Sequence, residues 1–417
     1  MLHLNNNISN VWGVATLEAE NSKTNTHKGL AILTIGHFIN DVHAAFLPTF
    51  TPILMMNLGL SITQASMLTF LSGIINSFMQ PLLGYASDQT SRPLMILIGP
   101  ILAALGASLI PSSPSYALAF FFVGLWAIGS ATFHPQGQGS VGHLTTSQNL
   151  SFAFSIFSVG GILASALSPL YGAYLYQRLG EAFLPIVTSI PVLLYAMLVF
   201  KFLPTIPGKH AYKSSVETKG LKFILHSMKI TFAPLSVAVI RDTSIQGIQF
   251  FMPIAIAAKG GTIGDVGKVL FIIMIARSIS PLLGGYIADR TSKAKIIFLC
   301  MAMGGALLIP AALTKGVLSV LLFTLGAACI EATTPITGAI SQEWMPHSRA
   351  MASSIVMGFA WGLGSLLIPP LGIIGDHLGL TCALVVVGAL PLASLCFVSI
   401  IRKKEKAAIL KEPQDEN

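Results

Sequence analysis

The sequence predicts an all-α membrane protein whose twelve transmembrane helices form two parallel six-helix repeats. Three observations predict it: charge is scarce and confined to short segments, the apolar stretches between those segments number twelve, and the last six repeat landmarks of the first six. Charged residues make up 10% of the 417 positions and hydrophobic ones 53%, whereas a soluble domain carries roughly 25% charge. From Val42 to Ser87, and again from Pro93 to Gln177, there is no Asp, Glu, Lys or Arg. The longer run alone holds about three spans at about 20 apolar residues each. Such runs exclude a water-soluble globular architecture.

Apolar segments separated by Gly, Pro, Asn and Ser place the helices at approximately 29–56, 62–87, 94–111, 115–143, 148–175, 181–203, 229–258, 263–288, 295–313, 316–343, 350–375 and 379–401. Residues 1–28 are polar and contain Glu18 and Glu20, unlike a cleaved signal peptide, and are expected to form a cytoplasmic N-terminal segment. Residues 29–203 form the first six-helix bundle and 229–402 the second. Between them, 204–228 opens with Pro204 and Pro207 and carries Lys209, Lys213, Lys219 and Lys222, which reads as a cytoplasmic linker. A basic tail, 403–417, follows. The net charge of +8 is a topology signal: of the 24 Lys and Arg, Arg178, Lys259, Lys268 and Lys315 fall on one side and Arg241 and Arg277 within spans, and the remaining 18 lie on the other side. The rich side is expected to be cytoplasmic, with both termini there, in a bacterial inner (plasma) membrane.

The halves repeat in register. PLLGYASDQTSR from Pro81 returns as PLLGGYIADRTSK from Pro281. A shift of 201 carries Gly84 to Gly285, Asp88 to Asp289, Asp41 to Asp242 and Pro52 to Pro253; a shift of 200 carries Pro135 to Pro335, Pro169 to Pro369 and Gly172 to Gly372. With six spans per half the copies share one orientation, related by an axis along the membrane normal.

On these residues the chain resembles the major facilitator superfamily over nearly its whole length. GYASDQTSR (84–92) is similar to that family's loop G-x-x-x-D-R-x-G-R, with Gln89 and Ser91 departing from it, and GYIADRTSK (285–293) keeps the Asp-Arg pair. GHFINDVHAAFLP (36–48) and ATFHPQGQG (131–139) resemble the fosmidomycin-resistance-like exporters, with Gln136 where that family carries Glu. Gly160-Gly161 followed by Ser168-Pro169 and Gly172 is similar to the fifth-helix motif of proton-driven antiporters, and Ile368-Pro369-Pro370 with Gly372 echoes it. The resemblance implies that the first and fourth helices of each half line a central cavity.

Ionisable residues inside a membrane cost about 2.5–3.5 kcal/mol each on insertion scales and need a reason to be there. In the first helix His37, Asn40 and Asp41 share one face at i, i+3, i+4, with His43 pointing roughly the other way. The seventh carries Arg241 and then Asp242, Gln246 and Gln249 at i, i+4, i+7; the fourth carries Ser130, His134 and Gln138; the tenth carries Glu331, Thr334, Gly338 and Gln342. Asp41 is the leading candidate for proton coupling, because an acid in a partly dry cleft can exist protonated as well as ionised. The alternative is a structural pair of Asp41 with Asp242 closing the extracellular end. Arg241, if its side chain meets Asp242, keeps that acid ionised. Arg277 and Glu331 are expected either to neutralise each other or to serve the cavity. His134 either relays a proton or hydrogen-bonds substrate, or else satisfies the carbonyl that Pro135 frees, with a possible break of the helix there. Asp88, Arg92, Asp289, Arg290 and Lys293 are expected to form gating loops at the cytoplasmic side, the alternative being solvated turns. Trp126, Gln246, Phe250 and Trp361 add aromatic and polar cavity surface.

Cys300, Cys329, Cys382 and Cys396 sit singly in apolar stretches and read as small fillers. GTIGDVGKV (261–269) has the wrong spacing for a phosphate-binding loop. No nucleophile elbow, zinc-protease helix or clustered Cys/His site stands in the sequence. The expectation is therefore no enzyme, no cofactor, no metal and no nucleic-acid partner. The chain is expected to act as a monomer in the lipid bilayer, exporting a small organic molecule such as a drug, antibiotic or secreted metabolite by proton antiport through alternating access. A proton-coupled importer of an organic acid, sugar or amino acid is the alternative, and a channel or receptor the reading from another class. The fifth- and eleventh-helix motifs favour export, and the full-length repeat with its two loops opposes a channel.

Overall fold

The computed structural model describes residues 27–87, 92–144, 150–203, 221–345, 352 and 354–409. Asp88 and most of the expected N-terminal segment and linker lie outside the described residues. The first six passes are α1 (27–41, then Phe46–Leu58), α2 (Ile62–Ser87), α3 (Leu94–Leu109), α4 (Tyr116–Leu144), α5 (Leu150–Leu179) and α6 (Leu184–Phe202). A short helix, Leu221–Ile230, occupies the end of the expected linker and leads into α7 (Phe232–Ala258), α8 (Ile263–Ala288) and α9 (Lys293–Leu313). Then come α10 (Gly316–Glu331 and Thr334–Trp344), α11 (a π-helical turn Ser354–Phe359, Ala360–Ser365 and Ile368–Leu378) and α12 (Leu380–Ala393 and Leu395–Ile409). No strand occurs among the described residues. The result is a twelve-pass all-α membrane protein, as helices are the way a single chain satisfies its backbone in hydrocarbon without an edge.

Nine of the described helices are long and apolar enough to cross a membrane. Of the other three passes, α3 is short, while α2 and α7 are long but less apolar. Both of those line the central cavity. On α6 the exposed residues Ile186, Ile190, Leu193, Met197 and Phe200 recur at helical spacing and form a face for lipid. The last helix runs to Ile409, beyond the boundary expected at 402, because Lys403, Lys404, Glu405 and Lys406 are good helix formers and the carboxylate of Glu405 has a partner. It accepts hydrogen bonds from Ser292 Oγ (2.7 Å) and the backbone N–H of Lys293 (2.9 Å), capping α9.

Proline explains the breaks in α1, α10 and α11. Pro48 lacks an N–H and its ring opposes the carbonyl of Ala44, so α1 turns over residues 42–45. The N–H of Ala45, released there, donates to Ser168 Oγ of α5 at 2.8 Å. Pro335 interrupts α10 at residues 332–333 in the same way, and Pro369 and Pro370 interrupt α11 at 366–367. Pro135 leaves α4 continuous, so the break it could have caused there does not occur.

The halves meet along α2–α11 and α5–α8, most closely at the end of the bundle away from the termini. There the carboxylate of Asp376 (α11) accepts from the N–H groups of Ile62 and Thr63, both at 2.8 Å, and from Thr63 Oγ1 at 2.6 Å. An acid of one half thus caps the first turn of a helix in the other. At the same end Gly267 of α8 lies so close to α5 that a Cβ would stand 2.8 Å from the Pro169 carbonyl. Toward the terminal end, a Cβ built at Gly139 of α4 or Gly358 of α11 would meet open space, and Gln138 is exposed. Among the described residues, contact between the halves is thus closest at the far end and looser toward the end that carries the termini.

Candidate functional site

The apolar interior of the first half comes in two parts. Phe46, Phe50, Leu54 and Leu68 cluster toward the far end, and Leu33, Phe133, Phe157 and Tyr195 toward the terminal end. At the level between them α1 turns at 42–45, and there Asp41 reaches a cavity of about 270 Å³. The wall comes from α1 (Asp41, Leu47), α2 (Thr69, Ser72, Asn76, Gln80), α4 (Trp126, Ser130, His134), α7 (Gln246, Gln249, Phe250) and Trp361 of α11.

Asp41 is the centre of a hydrogen-bonded group. Its Oδ2 is 3.2 Å from His37 Nε2, its Oδ1 is 3.4 Å from His134 Nε2, and Oδ1 accepts from Asn40 Nδ2 at 2.9 Å. His37 Nδ1 lies 2.9 Å from the Phe157 carbonyl of α5. A carbonyl only accepts, so Nδ1 carries a hydrogen. The contact between Nε2 and Oδ2 then holds one shared proton, either as imidazolium with carboxylate or as imidazole with carboxylic acid. The His37 ring is held by stacking on Phe157 (centroids 4.2 Å apart) and an edge contact with His134 at 5.3 Å. Glycine at 161 makes the room: a Cβ there would stand 2.3 Å from His37 Nε2. His43, at the α1 turn, packs edge-on to Phe46 at 5.2 Å, outside this group.

His37, Asp41 and His134 also present three possible metal-ligand atoms within 4.8 Å of one another. The sequence shows no such cluster because the two histidines lie on different helices nearly a hundred residues apart. His37 lies at hydrogen-bond distance from Asp41, 3.2 Å, whereas His134, at 3.4 Å, makes a longer electrostatic contact.

The acid of the second half lies in other company. Arg241 Nε donates to Asp242 Oδ1 at 2.8 Å and Nη1 donates to Thr337 Oγ1 of α10 at 3.1 Å; Asp242 Oδ2 is buried with no hydrogen-bond partner among the described residues. Arg277 of α8 donates to Glu331 Oε2 from Nε at 2.9 Å, with Nη2 at 2.8 Å. Thr334 Oγ1 donates to Glu331 Oε1 at 3.1 Å. Two arginines and two carboxylates thus neutralise each other inside this half. Arg241, Asp242 and Glu331 are absent from the cavity wall, although Gln246 on the same face of α7 lines it, donating to the Trp361 carbonyl at 2.9 Å.

Of its two expected roles His134 turns to Asp41 and not to the carbonyl freed by Pro135, and two expected placements differ. Gln138, one turn on, is exposed and stands away from the group. In the polar stripe of α10, Glu331 is engaged with Arg277 and Thr334, beside the neighbouring Thr337 that takes Arg241, and the stripe's place on the wall is taken by α2, whose Thr69, Ser72, Asn76 and Gln80 recur at intervals of three and four. That periodicity was legible in the sequence. Gln136 is a capping residue: Oε1 accepts from the N–H groups of Met95 (2.8 Å) and Ile96 (3.0 Å), and Nε2 donates to the Arg92 carbonyl at 3.0 Å. At the second loop, Arg290 lies over the Tyr286 ring 3.6 Å from its centroid, Asp289 is exposed, and Lys293 pairs with Glu343 of α10 within its own half.

The Major Facilitator Superfamily profile matches residues 33–240 and 234–416. The chain belongs to the major facilitator superfamily. It is a transporter rather than an enzyme. An uncharacterised MFS-type transporter of Bacillus subtilis (strain 168), YfnC, is 26% identical over 386 residues, covering 89% of this chain and 92% of that one. The fosmidomycin resistance protein of Escherichia coli (strain K12) is 24% identical over 407 residues, 94% of this chain and 98% of that one. Among solved structures, the nucleoside transporter NupG superposes with TM-score 0.76 at 14% identity over 89% of this chain and 99% of that one. A D-xylose-proton symporter does so with TM-score 0.71 at 15% identity, over 89% and 97%. These two share the fold.

Proposed function

We propose that this major facilitator protein exports a small organic molecule by proton antiport, with Asp41 as the group that exchanges the proton. The observation that carries the proposal is the His37–Asp41–His134 group, whose Asp41 and His134 stand on the cavity wall: an acid lies 3.2 Å and 3.4 Å from two imidazoles, which gathers three groups able to bind or release a proton beside the space a substrate would occupy. In the antiport cycle substrate and proton occupy this site in turn, and the halves rock between a far-end-closed and a terminal-end-closed arrangement. The far end is extracellular and the terminal end cytoplasmic by the distribution of Lys and Arg. Arg241, Asp242 and Glu331 hold the second half together at the cavity's edge, and the loops carrying Asp88, Arg92, Asp289, Arg290 and Lys293 latch the cytoplasmic end when it closes. The protein works as a monomer in the inner membrane.

The cavity narrows the substrate class. Its wall offers amide and hydroxyl groups, the aromatic faces of Trp126, Phe250 and Trp361, and Asp41, but no Lys or Arg among the described residues. That chemistry suits a polar neutral or cationic molecule with an apolar face. The likeness to a fosmidomycin resistance protein supports export of a drug-like compound.

Everted membrane vesicles energised with a proton gradient test the proposal. Compounds are screened for those that dissipate the gradient and accumulate inside. The expected result is dissipation by the substrate in wild type and a loss of at least about tenfold in Asp41→Asn at equal protein level. Coupled transport unchanged in Asp41→Asn removes Asp41 from the role. Substrate leaving vesicles together with protons would instead establish the import alternative.

A further inference from the structure

Between α9 and α12, at the end of the bundle that carries the termini, runs a groove of about 610 Å³. Its inner walls are apolar, formed by Phe298 and Leu299 of α9 and Leu395 of α12, and both α9 residues are exposed. Its mouth is ringed by Lys295, Arg402 and Lys406. The one acid at the mouth, Glu405, has both oxygens occupied by Ser292 and the Lys293 N–H. Among the described ion pairs none involves Lys295, Arg402 or Lys406, so three cations converge on one opening with no carboxylate assigned to them.

The depth of this mouth follows from its neighbours. Trp344 closes α10 at the same end, and the ammonium of Lys404, two residues from Arg402, lies 3.7 Å from the Trp344 ring centroid. Tryptophan ends of spans sit at headgroup level. The cations therefore stand where lipid phosphates are, and the groove beneath them lies where acyl chains are.

We propose that the α9–α12 groove is a binding site for one anionic phospholipid, its phosphate held by Lys295, Arg402 and Lys406 and an acyl chain lying against Phe298, Leu299 and Leu395. Charge selects the lipid: three cations with no ion-pair partner among the described residues match a headgroup with net negative charge, whereas a zwitterionic headgroup brings its own cation among them. Occupancy ties the end of α12 to α9 alongside Glu405, so the lipid also steadies the helix that extends past the bilayer.

The test uses the full chain, purified in detergent, with native mass spectrometry and thermal unfolding as readouts. Phosphatidylglycerol and phosphatidylcholine are titrated separately. Expected are one retained phosphatidylglycerol at concentrations where phosphatidylcholine has dissociated, and a higher unfolding temperature with phosphatidylglycerol alone. The triple variant Lys295→Gln, Arg402→Gln, Lys406→Gln should weaken retention about tenfold. Lys259→Gln with Lys315→Gln, at the opposite end of the bundle, should leave it unchanged. Arg402→Gln alone, which keeps two of the cations, should fall between, and serves if the triple variant does not fold. Equal retention of the two lipids, or equal loss from the control pair, overturns the site. Inorganic phosphate that binds the chain and displaces phosphatidylglycerol at millimolar concentration would assign the cations to a free anion and overturn the lipid.

Discussion

The two halves of this transporter start from the same pattern and arrive at different chemistry. The offset that carries Asp41 to Asp242 also carries Asn40 to Arg241, His37 to Ala238 and Asn76 to Arg277. In the first half the acid is met by two imidazoles and an amide and stands on the cavity wall. In the second it is met by a guanidinium, which stays charged under all physiological conditions, and the charge is balanced again by Arg277 and Glu331. The repeat fixes where an acid sits on the helix. The residue types around it decide whether it meets imidazoles, which can themselves bind or release a proton, or a permanently charged guanidinium. Backbone follows the same division: α1 is broken beside Asp41 and α7 is continuous, whereas α4 is continuous beside His134 and α10 is broken beside Glu331.

The comparison breaks if the two acids prove interchangeable in stability. Asp242→Asn leaves Arg241 buried without its counter-charge, and losing one partner of a buried pair costs about 3–5 kcal/mol. Asp41→Asn keeps a group of the same shape that accepts from Asn40 and donates to His37, so about 1 kcal/mol is expected, one exchanged hydrogen bond. Thermal unfolding of the purified variants should show a large fall for Asp242→Asn and a small one for Asp41→Asn. Equal shifts would mean that the second-half charges are not a structural unit.

Next in size is the support beneath His37. In Gly161→Ala the new methyl would stand 2.3 Å from His37 Nε2, so the ring must leave either Asp41 or the Phe157 carbonyl. Inserting a methyl into such a tight contact costs about 1–3 kcal/mol. The larger consequence is for transport: proton-coupled flux should fall at least as far as in His37→Ala. Wild-type flux in a folded Gly161→Ala protein would show that the His37–Asp41 contact is not used.

Much of this was legible in the sequence and some was not, for identifiable reasons. Twelve passes and their repeat were readable because hydrocarbon imposes length and apolarity on each span, and because Pro and Gly positions persist at a fixed offset. His37 and Asp41 were readable as one face because i, i+4 spacing is local. His134 joining them depends on how α4 lies against α1, which periodicity does not encode. The α10 stripe misled for the complementary reason: Glu331, Thr334 and Gln342 share a face, but the acid at its head is claimed by Arg277 of a neighbouring helix. The α2 stripe was present at regular spacing, yet uncharged Thr, Ser, Asn and Gln stand out less than an acid does.

The smallest effect belongs to Gln136, which stands where the resembling exporters carry Glu. Gln136→Glu keeps the two bonds accepted from Met95 and Ile96, and a negative charge at the start of α3 is favoured by the helix dipole by about 0.3–1 kcal/mol. Against this, the amide hydrogens that meet the Arg92 carbonyl at 3.0 Å are lost, and an ionised oxygen then faces an acceptor. Two opposed contributions of similar size leave a net change within about 1 kcal/mol, and transport unchanged within about twofold at equal expression. A collapse of coupling in Gln136→Glu would show that position 136 takes part in proton exchange, and that the first half holds a second acid-competent site beyond Asp41.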